Sequence, residues 1–427
     1  MKSRCRGLLG IALVLQFTSV SAEDSATPPI KGASSGLSIE SLQRLGLEAN
    51  GLVRAARSQV SMAESGVISA EAYPNPQVSA IGGPQQARIP AANPANTTRE
   101  IGVVQPIENP FMRSARIGAA SAGVDASRAS LNQVRADLAA LLRVRAFELL
   151  QRQEIARIES EVFDLMDDIR RRIKLAVDVG ETARFELIRT DAEVLNAAIR
   201  KEAAQLNAQR ARIALVQLTA GALKPDFELS VTLRDPIQLP ALEILHQEVS
   251  SVNPEILRLQ AEQERTRLRI SQERAAVIPS VDVLFANYQD AQYNENRGGL
   301  RVTVPLLYQR RGEINAAIHD SARVRETLEY RLFEIGQLLE SAWQGYQIAQ
   351  RRVEMFEGGL IKEAELAFQV ARTAHRFGER GLMEVLDSQR ILRGILVDSL
   401  LARFELQSAA AEIDRLRAYY PKEQTTE

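Results

Sequence analysis

The chain has 427 residues, 45% of them hydrophobic and 5% aromatic, a profile that suits long helices rather than compact α/β cores. Lys and Arg number 53 against 54 for Asp and Glu, so no basic excess points to nucleic acid. The one cysteine, Cys5, excludes an intrachain disulfide and any cysteine-ligated zinc or iron–sulfur centre.

Lys2, Arg4 and Arg6 precede an apolar run over 8–17 and then Ser19-Val20-Ser21-Ala22. A basic start, a short apolar stretch and small residues at a cleavage point predict a secretory signal over 1–22, followed by a linker over 23–36. The apolar run is shorter than the ~20 residues a spanning helix needs. The processed chain is therefore expected either to be soluble outside the cytoplasm or to enter a membrane as a β-barrel.

Prolines divide the remainder. None lies between Pro110 and Pro225, and none between Pro305 and Pro421. Sliding one half over the other sets Asn50 on Asn253 and Pro76 on Pro279 at one shift. At slightly smaller shifts Gln105-Pro106-Ile107 lies over Val304-Pro305-Leu306, and Gly180-Glu181 over Gly378-Glu379. Matches in this order predict a tandem duplication, with repeats over 37–225 and 241–420, a linker over 226–240 and a tail over 421–427.

Each repeat opens with a predicted helix (39–72; 241–277) that leads through proline into an alternating segment. The four alternating segments are 77–82, 98–105, 280–288 and 299–304. In the third, Val281, Val283 and Phe285 oppose Ser280 and Asp282; in the fourth, Leu300, Val302 and Val304 oppose Arg301 and Thr303. Period two with one apolar face is the pattern of a transmembrane barrel strand. Four such strands cannot enclose a lumen alone, so copies must pool them. The polar segments 83–97 and 290–297 suit the outer face. A small soluble sheet bridging helical hairpins is the competing reading.

Very long helices follow, over 112–177 and 309–374, each about 100 Å at 1.5 Å per residue. Ile155, Ile158, Val162, Leu165, Ile169 and Ile173 recur at threes and fours, as do Leu328 through Phe356 in the second repeat, which is coiled-coil spacing. Glycines interrupt both helices at matched positions, predicting hairpin tips at Val179, Gly180, Glu181 and Thr182, and at Gly378, Glu379, Arg380 and Gly381.

Catalytic patterns are missing: there is no GxSxG, no GxxxxGK[ST] and no HExxH. His246, His319 and His375 are scattered, so neither a metal site nor a cofactor is expected, and the chain does not read as an enzyme. Trp343 and Tyr346 sit in the heptad stripe and are expected to pack.

Taken in order, Pro74-Asn75-Pro76, Gln105-Pro106-Ile107, Val179-Gly180 with Glu186, and the run from Gly378 through Leu386-Asp387 to Gln389-Arg390 resemble the TolC-like outer-membrane efflux factor family. The resemblance covers the whole processed chain and is nearest to the CzcC-like heavy-metal branch. It implies a mainly α fold with a small β part: a homotrimeric duct whose twelve-stranded β-barrel sits in outer-membrane lipid and continues as an α-barrel through the periplasm. It further implies a periplasmic adaptor, or membrane fusion protein, docking on the two tips, and an inner-membrane RND-type pump. Arg380, Glu384 and Asp387 take the family's constriction positions, with Glu384 standing where the family has aspartate. Three copies of two carboxylates around an axis would favour cations. Divalent heavy-metal cations are the cargo of that branch, although Asn109-Pro110-Phe111-Met112-Arg113 replaces its usual glycine-rich turn. Efflux of drugs or other small molecules, type I secretion, and a soluble periplasmic coiled-coil scaffold stand as alternatives.

Overall fold

A computed structural model describes residues 36–85, 96–290 and 292–421; the expected signal, most of the linker after it, most of the first outer loop and most of the tail lie outside them. The chain order is α1 (Ile39–Ala49), α2 (Gly51–Glu71), β1 (Gln77–Gln85), β2 (Asn96–Ile107), α3 (Pro110–Asp178) and α4 (Arg184–Leu218). The same plan then recurs as α5 (Leu242–Val252), α6 (Pro254–Ala275), β3 (Ser280–Gln289), β4 (Asn294–Thr303), α7 (Arg311–Met355), α8 (Ile361–Arg376) and α9 (Leu382–Leu416).

The opening helix of each repeat, expected to be continuous, is broken in two. Asn50 and Asn253 take extended backbone angles at the break and accept the amides of Leu52 (2.8 Å) and Glu255 (3.0 Å) on their side-chain oxygens. Their amide groups donate to the carbonyls of Leu218 (2.8 Å) and Leu416 (2.9 Å), the last residues of α4 and α9. Those carbonyls have no partner inside their own helices. Both asparagines are buried, so one side chain closes two helix ends at once, and α4 meets α2 end to end as α9 meets α6.

The long helices also differ from expectation. α3 runs unbroken for 69 residues, but its counterpart is interrupted at Phe356–Leu360, where Gly359 adopts φ 154° between α7 and α8. A Gly-Gly pair is poorly suited to a helix interior, and the buried Arg403 of α9 holds the carboxylate of Glu357 there at 2.8 Å. Equal uninterrupted helices in the two repeats are therefore not what the chain forms.

The helices lie side by side in one row. Nearer the sheet the order is α2, α3, α6, α7; farther from it α4, α3, α9, α8. α3 and α9 supply most of the seam. Ile158, Val162 and Ile173 are buried there, with Ile155, Leu165 and Ile169 packed against them. A second cluster gathers Leu245, Ile256, Leu328, Ile335 and Leu339, against which Trp343 and Tyr346 stack at 5.7 Å. On α4, Thr190, Ala197, Ala204 and Ala211 turn inward at strict sevens, small enough for close approach to α3.

The strands form one antiparallel sheet in the order β1-β2-β3-β4, each longer than expected because the hairpin arms extend into the polar segments. Gln105 donates to the carbonyl of Pro74 at 3.0 Å, Arg116 to that of Ala70 at 3.0 Å, and the capping Asn109 to that of Ala275 at 2.9 Å. These bonds fasten the sheet to the helix row. They give a structural reason for the Pro-Asn-Pro and Gln-Pro-Ile segments.

Candidate functional sites at the sheet and the helix tips

Register decides which side chains share a face of the sheet. Val78 lies opposite Val103, Val103 opposite Phe285, Val283 opposite Leu300, and Ile107 opposite Val281, itself opposite Val302. These residues, with Ala80 and Ile101, form an apolar patch across all four strands on one face, which farther from the helices also carries Arg99, Asn287, Gln289, Asn294 and Asn296. Ser79, Thr98, Glu100, Ser280, Asp282, Arg297, Arg301 and Thr303 fall on the opposite face. The alternation seen within single segments is thus aligned across all four strands. Among the described residues β1 and β4 each leave one edge unpaired.

Open edges continue along the helices. α4 turns Phe185, Ile188, Leu195, Ile199, Leu206 and Ile213 away from α3, each at least 57% exposed. On the opposite margin α7 and α8 expose Tyr330, Phe333, Ile348, Met355 and Val370. One margin of the row is therefore α2 and α4, continuing β1; the other is α7 and α8, continuing β4.

At the tips, Gly180 (φ 81°) and Gly378 (φ 73°) occupy the left-handed region that L side chains avoid. Glu181 donates its amide back to Ala176 at 2.8 Å, and Glu379 to Ala374 at 3.0 Å, so both helices close with the same turn. Gly381 plays a different part: at φ −75° it precedes α9 in extended backbone, where the first tip has Ala183. Val179 and Phe377 each stand one residue before the turning glycine and are 70% and 74% exposed. Phe377 escaped the sequence reading, although its offset from the glycine matched that of Val179. Glu181 is exposed and Thr182 half-buried.

Beyond the second tip, Arg380 forms an ion pair with Glu384, which pushes the guanidinium further up from its ordinary value. Asp387 is not joined to that pair; it faces Arg390 at 3.5 Å, and Arg390 also reaches Glu193 of α4 at 3.2 Å. Glu384 and Asp387 are 47% and 55% exposed by side chain, while Val385 and Leu386 between them are buried. Sequence reasoning missed the clamps behind this face. Arg393 of α9 binds the buried Glu159 of α3 at 2.7 Å, Arg200 of α4 approaches the same carboxylate at 3.4 Å, and Arg170 bonds Asp191 across the first hairpin at 2.5 Å. Partners on separate helices leave no spacing signal within any one segment.

Among the described residues no group of three or more His, Cys, Asp and Glu side chains is arranged to hold a metal ion, and His246 is bonded to Glu340 at 2.8 Å. No described helix is long and apolar enough to cross a membrane.

Comparison with known proteins agrees with this architecture. The family described as outer membrane efflux protein matches residues 245–417. The cobalt-zinc-cadmium resistance protein CzcC of Cupriavidus metallidurans is 23% identical over 414 residues, covering 96% of this chain and 97% of that protein. Among solved structures, CusC superposes with a TM-score of 0.76 at 15% identity, covering 89% of this chain and 91% of its own. The open state of the Neisseria gonorrhoeae MtrE outer membrane channel superposes with a TM-score of 0.76 at 16% identity, covering 91% of each chain. At these identities the structural likeness speaks for the fold.

Proposed function

We propose that the chain, whose residues 245–417 match the family described as outer membrane efflux protein, forms, as a homotrimer, the outer-membrane duct of a tripartite efflux system. The carrying observation is the pair of unpartnered margins. One copy ends in β1, α2 and α4 on one side and in β4, α7 and α8 on the other, with apolar side chains exposed along both. Two different margins that fit each other make a head-to-tail contact, which closes into a ring when the rotation allows. Four strands from each of three copies make twelve, an even number as bacterial barrels have. The apolar face would meet lipid and the face carrying Glu100, Asp282, Arg297 and Arg301 would line water.

In this reading the duct performs no chemistry. It offers a polar path whose width and charge admit what a pump and its adaptor deliver. The tips at Val179–Thr182 and Gly378–Gly381, with Phe377, receive the periplasmic adaptor, and an RND-type pump in the inner membrane supplies the cargo. Divalent heavy-metal cations are the proposed cargo, supported by similarity to a cobalt-zinc-cadmium resistance protein along nearly the full chain. Glu384 and Asp387, repeated around the axis, form the cation-favouring constriction, each held by an arginine of its own copy. A soluble scaffold would have no use for an apolar patch aligned across all four strands.

The test is direct. Protein extracted from outer membranes should sediment in detergent as a trimer and open channels in planar bilayers. A water-soluble monomer, or trimers without conductance, would overturn the proposal.

A further inference from the structure

One stripe of α6 carries charge that the packing of the helix row does not use. Arg258, Glu262, Arg265 and Arg269 recur at fours and threes, so they share one side of the helix. Opposite them α7 presents Asp320 and Arg323, and between the two helices lies a groove of about 280 Å³ lined by all six. Its floor is apolar, with Leu259 and Val324 buried there. Arg323 stands about 140° round α7 from Leu328, which joins the cluster around Leu245 of α5, so the groove opens away from that cluster.

Charges in the groove do not balance. Glu262 faces Arg265 at 3.3 Å and Asp320 faces Arg323 at 2.8 Å. Among the described residues no carboxylate pairs with Arg258 or Arg269, so two positive charges are left over. Thr266 and Thr327, also in the lining, donate their hydroxyls to the carbonyls of Gln263 (2.9 Å) and Arg323 (2.8 Å). The donors that remain for a ligand are therefore guanidinium N–H groups. Comparison of the two repeats shows that the helix plan does not require them. The shift that sets Asn50 on Asn253 sets Ala55, Gln59, Met62 and Gly66 on Arg258, Glu262, Arg265 and Arg269, so the same stripe of α2 holds no charge.

We propose that this groove binds a multivalent oxyanion, an extended one carrying two or more phosphate groups. Guanidinium groups suit such a ligand, because each offers paired N–H donors to two oxygens. Arg258 and Arg269 lie about 16 Å apart along α6, too far for one phosphate to meet both. A short chain of phosphates lying along the groove, met from each end by a long flexible side chain, bridges them. Glu262 and Asp320 set the threshold for entry. A singly charged anion gains little against these two carboxylates, whereas a polyanion competes with them for Arg265 and Arg323. The groove is complete within one copy, so binding goes beyond the duct reading and does not depend on trimer formation.

The experiment titrates the full chain in detergent, at low salt, with inorganic tripolyphosphate and then with orthophosphate, by isothermal titration calorimetry. Tripolyphosphate should bind saturably and roughly tenfold or more tighter than orthophosphate. Arg258→Gln with Arg269→Gln should weaken tripolyphosphate roughly tenfold or more. Neither arginine gives up a partner, so the thermal midpoint should hold. Glu262→Gln with Asp320→Asn should strengthen binding roughly threefold or more. A titration that does not saturate overturns the site, as does undiminished affinity without the two arginines or no gain without the two carboxylates. Orthophosphate bound as tightly as tripolyphosphate overturns the extended, multivalent ligand.

Discussion

Asn50 and Asn253 perform the same two tasks at corresponding points of the duplication, capping one helix and satisfying the last carbonyl of another. Replacing either by Ala should cost about 1–2 kcal/mol, measured as a lowered thermal midpoint by circular dichroism. The two losses should add, since the sites share no partner. Their match was legible in the sequence; their role was not, because asparagine inside a helical pattern gives no sign of the distant carbonyl it will meet. Asp414 is a second residue known only from its surroundings. Burial raises its carboxyl above the ordinary value, against the pull of Arg143 and Arg417. The proton is therefore held more tightly in the folded chain. The stability linked to it is complete below about pH 4 and is lost as pH rises through the folded value. Asp414→Asn should thus gain thermal midpoint relative to the parent as pH rises from about 4; a difference that stays constant with pH would refute the assignment. At the proposed constriction, Glu384→Ala with Asp387→Ala should raise basal conductance or lower cation selectivity, with Arg380 and Arg390 left without these partners. Unchanged recordings would remove both residues from the gate.

Among the elements, those with strong local periodicity were the legible ones. The alternation of Val281, Val283 and Phe285 against Ser280 and Asp282 gave β3 and its apolar face, and the glycines gave both tips. What escaped was local interruption inside a long pattern. The helix expected over 309–374 runs across Gly358-Gly359 in the sequence, yet it breaks there, because two residues without side chains contribute nothing to the seam and Arg403 draws Glu357 across. The hairpin arms were underestimated for the opposite reason: Asn294 to Gly298 lack apolar alternation but still complete ladder hydrogen bonds with β3. For the tips, Gly180→Pro or Gly378→Pro removes the left-handed residue that turns the chain. Either change should reduce site-directed crosslinking to the adaptor while trimers persist in detergent. Undiminished crosslinking would show that docking lies elsewhere.

For the whole molecule, the proposed assembly rests on margins left uncovered among the described residues of one copy. Burying a side chain such as Ile199 or Leu206 is worth about 1.5–3 kcal/mol, and both lie on the outward stripe of α4. Ile199→Glu with Leu206→Glu should convert trimers to monomers in sedimentation velocity while leaving helix content unchanged; intact trimers would mean that this stripe is not the contact. One consequence of the strand order reaches back to biosynthesis. The central ladder pairs Ile107 with Val281, and all of α3 and α4 lie between them along the chain. A polypeptide emerging from its amino terminus therefore presents β1 and β2 long before β3 exists to cover them. Closing so large a loop is slow, and an unfinished hairpin is a template for mispairing. For the proposed outer-membrane duct, transit across the periplasm accordingly calls for a holding chaperone that shields the early hairpin until the latter half of the chain arrives.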